Sequence, residues 1–469
     1  MSTTLNELPV VVIGAGPVGL ATAAHLRERG LTPLVLEAGA AIGAAIEQWG
    51  HTRLFSPWQY DIDAAARRIG DVVRCTDLQV SERLSEQTGA HILLKREDQQ
   101  DVRSYKIRGA YNLMAQLNSD ERSAGVVTAS AGNHAQGVAF ACRVLGINGR
   151  IYVPTNTPKQ KRDRILAHGR NSVELVVTGT NFDAAQTAAR ADAARTGATM
   201  VPPFDHPDTM AGQGTIAAEI LAQLDETPDA VVVPVGGGGL VGGLATYLAE
   251  YAPDCKIIAV EPTGAPSLTR ALEAGEPVTL DTVDTFVDGA SVARLGEFPF
   301  GVISSMTERI QVLTVDEGAV CTEMLELYQN EGIIAEPAGA LAVTALEQLE
   351  IDEGATVVCL VSGGNNDVSR YSEIIERSLV HKGLKHYFLV KFPQEPGQLR
   401  RFLDEVLGPE DDITQFEYLK RNNREYGAAL VGIELGSATG LHSLLERMDA
   451  SRIDCERLEP GTAAYEYLT

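Results

Sequence analysis

The chain has 469 residues, 44% of them hydrophobic and 22% charged. At roughly 100 to 200 residues per domain, that length allows about two to four soluble domains. Its 39 basic and 63 acidic residues give a net charge of −24, which repels nucleic-acid phosphates and anionic lipid. No apolar run reaches the roughly 18 residues that a membrane-spanning helix needs. Six widely spaced cysteines without a C-x-x-C pair indicate reduced thiols. We therefore expect a cytoplasmic protein with no nucleic-acid or membrane partner.

The first region has the pattern of a dinucleotide-binding βαβ unit. An apolar strand, Val10 to Ile13, runs into a glycine turn, Gly14 to Gly19, and then into a helical stretch that ends at Arg29. A second strand, Leu34 to Leu36, ends in Glu37, where a carboxylate can accept a hydrogen bond from a ribose hydroxyl.

This region resembles the start of an FAD-dependent oxidoreductase. Trp49, His51 and the run Leu54 to Trp58 continue the resemblance toward flavin monooxygenases, and it stops near Arg68. A dinucleotide fold binds its cofactor across about six strands, which this length does not supply. We expect residues 1–62 to be a truncated flavoprotein-like segment; the alternative is an FAD oxidoreductase or a bifunctional fusion.

The remainder divides into two regions. Residues 63–380 alternate short apolar strands with amphipathic helices, which predicts a mostly parallel α/β domain. Residues 381–469 predict strand, helix, strand, strand and helix, which is most of a ferredoxin-like module. The predicted strands are Ile92 to Lys95, Gly125 to Ala129, Ile151 to Val153, Val231 to Val235, Ile257 to Val260, Val357 to Val361, Tyr387 to Phe392, Ile413 to Leu419 and Ala428 to Leu435.

Two glycine-rich or polar turns follow predicted strands and face helix starts. The four glycines 236–239 precede Leu240 and a helix, where bare backbone N–H groups can surround a phosphate. A nicotinamide site is the alternative, because Glu261 ends the next strand. The second turn, Ser130 to Asn133, is suited to a carboxylate, and the Asn133 amide can bind a ring hydroxyl. We interpret His134 as structural rather than as a general base.

Two further residues complete a set that a lysine-bound aldehyde cofactor would need. Lys106 lies in the segment Ser104 to Ala110, near a predicted helix start. Ser362 follows the strand Val357 to Val361, at the end where α/β sheets bind ligands.

Five motifs together resemble the threonine dehydratase family. They are S-Y-K-I-R-G-A, S-A-G-N-H-A-Q-G, the tetraglycine loop, E-P-A-G-A at 336–340 and S-G-G-N-N-D. The resemblance implies an α/β catalytic domain of pyridoxal phosphate (PLP) fold type II, which is tryptophan synthase β-like. It also implies that residues 381–469 form the ACT-like regulatory domain of the short biosynthetic form.

The resemblance assigns roles residue by residue, and it implies no metal ligand. Lys106 would be the Schiff-base lysine, Asn133 the ligand of the cofactor hydroxyl, and Ser362 the neighbour of the pyridine nitrogen. Glu336 would lie near the ring. Backbone groups of Gly236, Gly237, Gly238, Gly239 and Leu240 would hold the phosphate, and Ser130, Ala131, Gly132 and Asn133 would bind the substrate carboxylate.

The implied activity is PLP-dependent β-elimination of L-threonine to 2-oxobutanoate and ammonia, the first committed step of isoleucine biosynthesis. The resemblance also implies feedback by isoleucine, as an amino-acid effector at the ACT-like domain, and a homotetramer. A serine dehydratase or a racemase is the alternative within the fold, with L-serine as substrate. A noncatalytic amino-acid sensor is a third interpretation, which the presence of Lys106, Asn133 and Ser362 disfavours.

Overall fold

The computed structural model describes residues 10–14, 17–36, 58–419, 425–451 and 453–468. The chain forms two compact units that meet between Pro57 and Trp58. The described part of the first unit contains the predicted strand, helix and strand: β1 (Val10–Ile13), α1 (Pro17–Glu28) and β2 (Pro33–Leu36), with the strands paired in parallel. Glu37, Trp49 and His51 lie outside the described residues, as does the run 54–57.

The second unit begins with a helix that crosses the predicted boundary at residues 62 and 63. Ile62 and Ala65 on this helix are buried against Ala211. The predicted domain bounds 1–62, 63–380 and 381–469 stay a prediction.

The helices up to residue 381 are α2 (Trp58–Ile69), α3 (Glu82–Thr88), α4 (Lys106–Ala115), α5 (Ser119–Ala124), α6 (Asn133–Leu145), α7 (Lys159–Gly169), α8 (Phe182–Thr196), α9 (Pro207–Gln223), α10 (Gly239–Tyr251), α11 (Ser267–Ala274), α12 (Glu297–Ser304), α13 (Glu317–Glu331), α14 (Pro337–Thr344) and α15 (Tyr371–His381). The strands are β3 (Leu78–Val80), β4 (His91–Arg96), β5 (Val126–Ala129), β6 (Gly149–Val153), β7 (Val173–Val177), β8 (Thr199–Met200), β9 (Ala230–Pro234), β10 (Lys256–Pro262), β11 (Ile310–Val315) and β12 (Thr356–Val361).

These strands form two sheets. The larger has the order β11-β10-β9-β12-β4-β3 and is parallel except for the edge pair β3 and β4. The smaller has the order β7-β6-β5-β8 and is parallel throughout. No helix within the described ranges is long and apolar enough to cross a membrane.

The larger sheet is apolar on both faces because helices cover both sides, as parallel sheets require. Along β12, Val357, Cys359 and Val361 point into one core cluster, whereas Val358 and Leu360 point into the other. All five side chains are buried. Polar residues are therefore left to the strand ends, where the candidate functional turns lie.

The third region adds one strand to the predicted pattern. It comprises β13 (Lys385–Pro393), α16 (Gln398–Glu405), β14 (Asp412–Leu419), β15 (Tyr426–Glu434), α17 (Gly440–Ala450), β16 (Asp454–Leu458) and the terminal helix α18 (Ala463–Leu468). The antiparallel sheet order, β14-β15-β13-β16, is that of a complete ferredoxin-like module. Phe402 on α16 is buried, but Leu399 and Leu403 are more than 40% exposed, so this helix buries only a narrow apolar face.

A buried ion cluster fixes helix α4, which begins at Lys106. The guanidinium of Arg108 is fully buried and binds two carboxylates, with both oxygens of each as acceptors. Its nitrogens lie 2.7 and 2.8 Å from the Glu97 oxygens and 2.6 and 2.9 Å from those of Glu219 on α9. Lys95 on β4 also donates to Glu219 at 2.7 Å. Two cations thus balance two carboxylates, and the cluster joins the larger sheet, α4 and α9.

Charge balance explains how this cluster tolerates burial. Burial alone would raise the pKa of Glu219, but the neighbouring Arg108 and Lys95 hold it below its usual range. Removing one member of such a cluster leaves the others charged and buried without compensation.

We predict that Arg108→Ala lowers the free energy of unfolding by about 3–5 kcal/mol, because Glu97 and Glu219 lose their shared partner. Urea denaturation measures the change. The matched control is Arg270→Ala, which removes an exposed guanidinium from Glu273 and should change stability by less than about 1 kcal/mol. An Arg108→Ala chain as stable as the control would show that the cluster does not anchor α4.

Candidate cofactor site

Lys106 is the first residue of α4, and its amine points toward the chain between β8 and α9. Its Nζ donates to the carbonyl oxygen of Pro203 at 3.1 Å and lies 5.1 Å from the ring centroid of Tyr105. The backbone N–H of Tyr105 donates to the carbonyl oxygen of Ser362 at 3.2 Å. Lys106 is thereby placed beside the carboxyl end of β12.

The surroundings of Lys106 favour its neutral amine. Withdrawal from water lowers the pKa of Lys106 to about 8, although the carboxylate of Glu336 opposes part of that shift. A neutral, nucleophilic amine is therefore well populated just above neutral pH.

Asn133 and Glu336 are in direct contact although they lie far apart in sequence. The Nδ2 of Asn133, at the start of α6, donates to Oε1 of Glu336 at 2.5 Å. The backbone N–H of Glu336 donates to the carbonyl oxygen of Gly363 at 3.1 Å. A Cβ on Gly363 would lie only 2.3 Å from Glu336 Oε1, so the close approach of these two loops requires glycine there.

The Glu336 carboxyl is set to exchange a proton near neutral pH. Burial and the nearby negative charge of Asp288 raise its pKa to about 7, against the opposing contributions of Asn133 and Lys161. Ser362 is also buried, and its hydroxyl donates to the carbonyl oxygen of Ala338 at 3.1 Å. A neutral hydroxyl and a titratable carboxyl thus lie on adjoining loops.

The tetraglycine loop presents a row of backbone donors. Among the described residues, no protein acceptor binds the N–H groups of residues 236–240. Gly238 has a φ of +86°, and a Cβ on Gly237 would lie 2.2 Å from the ring of Phe204. Glycine is therefore required both by the backbone conformation and by packing. The free N–H groups and the start of α10 fit an anion of phosphate size.

Phe204 connects this loop to Lys106. It directly follows Pro203, whose carbonyl oxygen accepts from the lysine, and it packs against the loop glycines. The structure therefore brings the predicted phosphate loop and the predicted lysine to the same place.

The turn before α6 forms a second group of donors. The N–H of Gly132 donates to the Ser130 hydroxyl at 3.2 Å, while the N–H groups of Ala131 and Asn133 bind no protein acceptor in the described part of the chain. His134 is buried, and its Nε2 lies 2.8 Å from the carbonyl oxygen of Val201. Burial and the nearby Lys106 charge lower the pKa of His134 to about 3, so the ring stays neutral and structural.

Together these groups suit a phosphate-bearing aromatic aldehyde. Lys106 supplies an amine with a lowered pKa, the glycine loop supplies anion donors, and Asn133 supplies an amide. The Ser104 hydroxyl, two residues before Lys106, is buried without a protein partner among the described residues, so one more polar atom is available there. Across the described ranges, no group of three His, Cys, Asp or Glu side chains is placed to hold a metal ion.

The alternative interpretation of Glu261 as a ribose ligand is wrong. Glu261 is fully buried and accepts from the backbone N–H groups of Leu268 and Thr269 at 2.6 and 2.9 Å. It therefore caps the start of α11 and has no access to a cofactor.

Sequence reasoning missed several residues that shape the site: Ser104, Pro203, Phe204, Asp288 and Asn365. Asn365 was visible within the S-G-G-N-N-D motif, but no local signal indicated its partners. Pro203, Phe204 and Asp288 belong to no motif in the sequence and are brought in by long-range packing.

Comparison with sequence models of known families gives three matches. Residues 69–363 match the pyridoxal-phosphate dependent enzymes, and residues 376–468 match the C-terminal regulatory domain of threonine dehydratase. Residues 11–87 match the pyridine nucleotide-disulphide oxidoreductases, a match limited to the first region and the start of the second.

Individual relatives agree with the two longer matches. A biosynthetic L-threonine dehydratase of Mycobacterium tuberculosis is 64% identical over 415 residues, which cover 88% of this chain and 97% of the relative. The corresponding enzyme of Corynebacterium glutamicum is 62% identical, covering 87% of this chain and 94% of the relative.

Solved structures show the same fold. The processed form of threonine deaminase isoform 2 from Solanum lycopersicum has a TM-score of 0.65 and 39% identity, covering 72% of this chain and 94% of that chain. Maize serine racemase has a TM-score of 0.63 and 30% identity, covering 69% of this chain and 98% of that chain. With these likenesses and the site geometry, the chain belongs to the pyridoxal-phosphate dependent enzymes, and within them to the threonine dehydratase family.

Proposed function

We propose that this chain is an L-threonine ammonia-lyase that binds PLP through Lys106 and produces 2-oxobutanoate and ammonia. The observation that carries the proposal is the meeting of a lysine whose pKa is lowered to about 8 with a row of phosphate-sized donors and the Asn133–Glu336 pair. Because the chain belongs to the threonine dehydratase family, the reaction is the first committed step of isoleucine biosynthesis.

Each site residue has a defined task in this proposal. Bound PLP would supply the electron sink for negative charge at the substrate α-carbon. Lys106 holds the cofactor aldehyde and moves the α-proton at Nζ, while N–H groups of Gly236, Gly237, Gly238, Gly239 and Leu240 bind the phosphate. Donors between Ser130 and Asn133 orient the substrate carboxylate.

Three residues control charge around the ring. Ser362 would turn its hydroxyl from the Ala338 carbonyl to donate to the pyridine nitrogen and so leave the nitrogen unprotonated, which favours β-elimination over transamination. Asn133 donates toward the ring hydroxyl. Glu336, with its pKa near 7, holds or releases a proton within the same network.

Threonine is favoured over serine as the substrate by the relatives. Those that are 62 to 64% identical are named L-threonine dehydratases, whereas the structures named for serine, a racemase and an ammonia-lyase, are 25 to 30% identical. We further propose a homotetramer in the cytoplasm.

The first region does not alter this proposal. Its described part contributes two paired strands and one helix, whereas a dinucleotide fold holds its cofactor across about six strands. The outward apolar side chains Val11 and Ile13 are 51% and 87% exposed. We propose that residues 1–62 carry no cofactor.

Replacing Lys106 tests the proposed activity. We predict that Lys106→Ala lowers kcat for 2-oxobutanoate formation from L-threonine by at least about a thousandfold, because the group that moves the α-proton is removed. Lys159→Ala, at a side chain that is 84% exposed, should retain full activity. Circular dichroism verifies that both variants are folded, and substantial turnover by folded Lys106→Ala would refute the assignment.

Burial and the charge of Glu336 together determine how the reactivity of the Lys106 amine depends on pH. We predict that amine-reactive labelling of Lys106 in the cofactor-free chain rises with pH with a midpoint near 8. Glu336→Gln should move the midpoint lower, because the Glu336 carboxylate stabilises the ammonium form and so raises the lysine pKa. Peptide mass spectrometry measures the labelling rate between pH 6 and 11. A midpoint near the ordinary lysine value of about 10.4, in both chains, would contradict this electrostatic account.

A continuous set of contacts supports feedback control by isoleucine at the third region. Glu376 on α15 accepts from the Tyr387 hydroxyl on β13 at 2.5 Å and pairs with Lys385. Helix α15 packs against α13, where the hydroxyls of Thr322 and Ser378 lie 3.0 Å apart.

The second half of this path reaches the cofactor site. Helix α13 ends at Glu331, and five residues later the chain reaches Glu336. His381 Nδ1 at the end of α15 lies 3.1 Å from Asp316, which caps the start of α13. We propose that a displacement of β13 by an effector is passed along these contacts, through α15 and α13, toward Glu336.

Removing one contact at the start of this path should weaken regulation and spare catalysis. We predict that Tyr387→Phe raises the isoleucine concentration for half-inhibition about tenfold while kcat stays within twofold, since a hydrogen bond to a charged group is worth about 1.5–3 kcal/mol. Inhibition curves at fixed threonine measure the shift. Tyr426→Phe, at an exposed tyrosine of the same sheet, is the control. Unchanged inhibition of Tyr387→Phe would show that coupling takes another route.

A further inference from the structure

Asn365 binds both Asn133 and Glu336. Its Nδ2 donates to Oδ1 of Asn133 at 2.8 Å and to the carbonyl oxygen of Val102 at 2.8 Å. Its backbone N–H donates to Oε2 of Glu336 at 3.2 Å. Asn133 donates in turn to the other oxygen of the same carboxylate.

The orientation of the Asn365 amide follows from its partners. The carbonyl of Val102 can only accept a hydrogen bond, so Nδ2 of Asn365 must face it. The guanidinium of Arg164 on α7 can only donate, so Oδ1 of Asn365 must face Arg164. The amide is thus held from both ends in one of its two orientations.

The orientation of the Asn365 amide also fixes the orientation of the Asn133 amide. Because Asn365 presents a donor, Asn133 must turn its Oδ1 toward it, and its Nδ2 then points to Glu336. One of the two Nδ2 hydrogens binds Glu336, and the second remains for a ligand. A reversed amide would present an oxygen to the Glu336 carboxylate, and the two acceptors would repel each other.

We infer that Asn365 is a positioning residue, which with Arg164 locks the Asn133 amide so that it donates to the ring hydroxyl of PLP. The inference rests on the proposed function, because it concerns the proposed PLP site. Asn365 acts through Asn133 and Glu336 and need not touch the cofactor.

Asn365→Asp tests the inference with almost no change of shape. A carboxylate cannot donate to Asn133 or Val102, so the lock is lost while Arg164 keeps an acceptor. We expect the Kd for PLP, measured by absorbance titration of the dialysed full-length chain, to rise about tenfold, which corresponds to about 1.4 kcal/mol. Asn181→Asp, the same change at a helix N-cap on α8, should bind PLP normally, since Asp and Asn cap equally well.

A spectroscopic readout separates positioning from general destabilisation. A donor at the ring hydroxyl stabilises its ionised form, so loss of that donor should raise the pH midpoint of the absorbance change of bound PLP. Arg164→Met should shift the Kd and the midpoint in the same directions by smaller amounts. Asn365→Ala provides the same test if the aspartate variant does not fold.

The outcomes separate this inference from the proposed function. If the unsubstituted chain does not bind PLP, the proposed function fails and the inference fails with it. If the unsubstituted chain binds PLP but Asn365→Asp and Asn365→Ala keep its Kd within twofold and its pH midpoint unchanged, the positioning role alone is refuted.

Discussion

The buried pairing of Arg108 with Glu97 and Glu219 is the constraint on which the site depends. These residues join the larger sheet, α4 and α9, and their charges balance once Lys95 is included. Arg108 lies two residues after Lys106, so the cluster holds the helix from which the lysine projects. The Lys106 amine is withdrawn from water, and this withdrawal lowers its pKa. The buried guanidinium of Arg108 and the proposed catalytic amine of Lys106 therefore lie on one helix.

The rest of the site is built from loops at the carboxyl ends of strands. β5, β9 and β12 each end in a polar or glycine-rich turn, and contacts through Glu336, Pro203 and Phe204 bring these turns together near Lys106. The contacts between turns are polar: Asn133 with Glu336, Asn365 with both, and Glu336 with the chain at Gly363. Such a network rigidifies the site only when every member is satisfied. Helix α13 precedes Glu336 along the chain and packs against α15, which contacts β13 of the third region, so these two helices are the proposed route from an effector to the cofactor site.

Much of this arrangement could be predicted from sequence because its signals are local. Apolar runs that end in glycine or serine predicted β5, β9 and β12 and the turns that follow them. The five motifs identified Lys106, Asn133 and Ser362 as candidate cofactor-binding residues. Strands β3 and β8 carry too few residues for a clear pattern, and β16 is too rich in charged residues to be recognised as an apolar run. Exposure of Leu399 and Leu403 depends on how α16 lies on its sheet, which spacing alone does not fix. The role of Asn365 was hidden for a related reason, since its partners Asn133 and Val102 are more than 200 residues away.

We propose that the chain holds PLP at Lys106 and uses it on L-threonine. The most direct measurement is the near-ultraviolet and visible spectrum of the purified full-length chain before and after addition of L-threonine, with 2-oxobutanoate followed in the same sample. We expect one cofactor band, equivalent to one PLP per chain, which changes on addition of threonine as 2-oxobutanoate accumulates. A two-band flavin spectrum that does not respond to threonine, without 2-oxobutanoate, would contradict it.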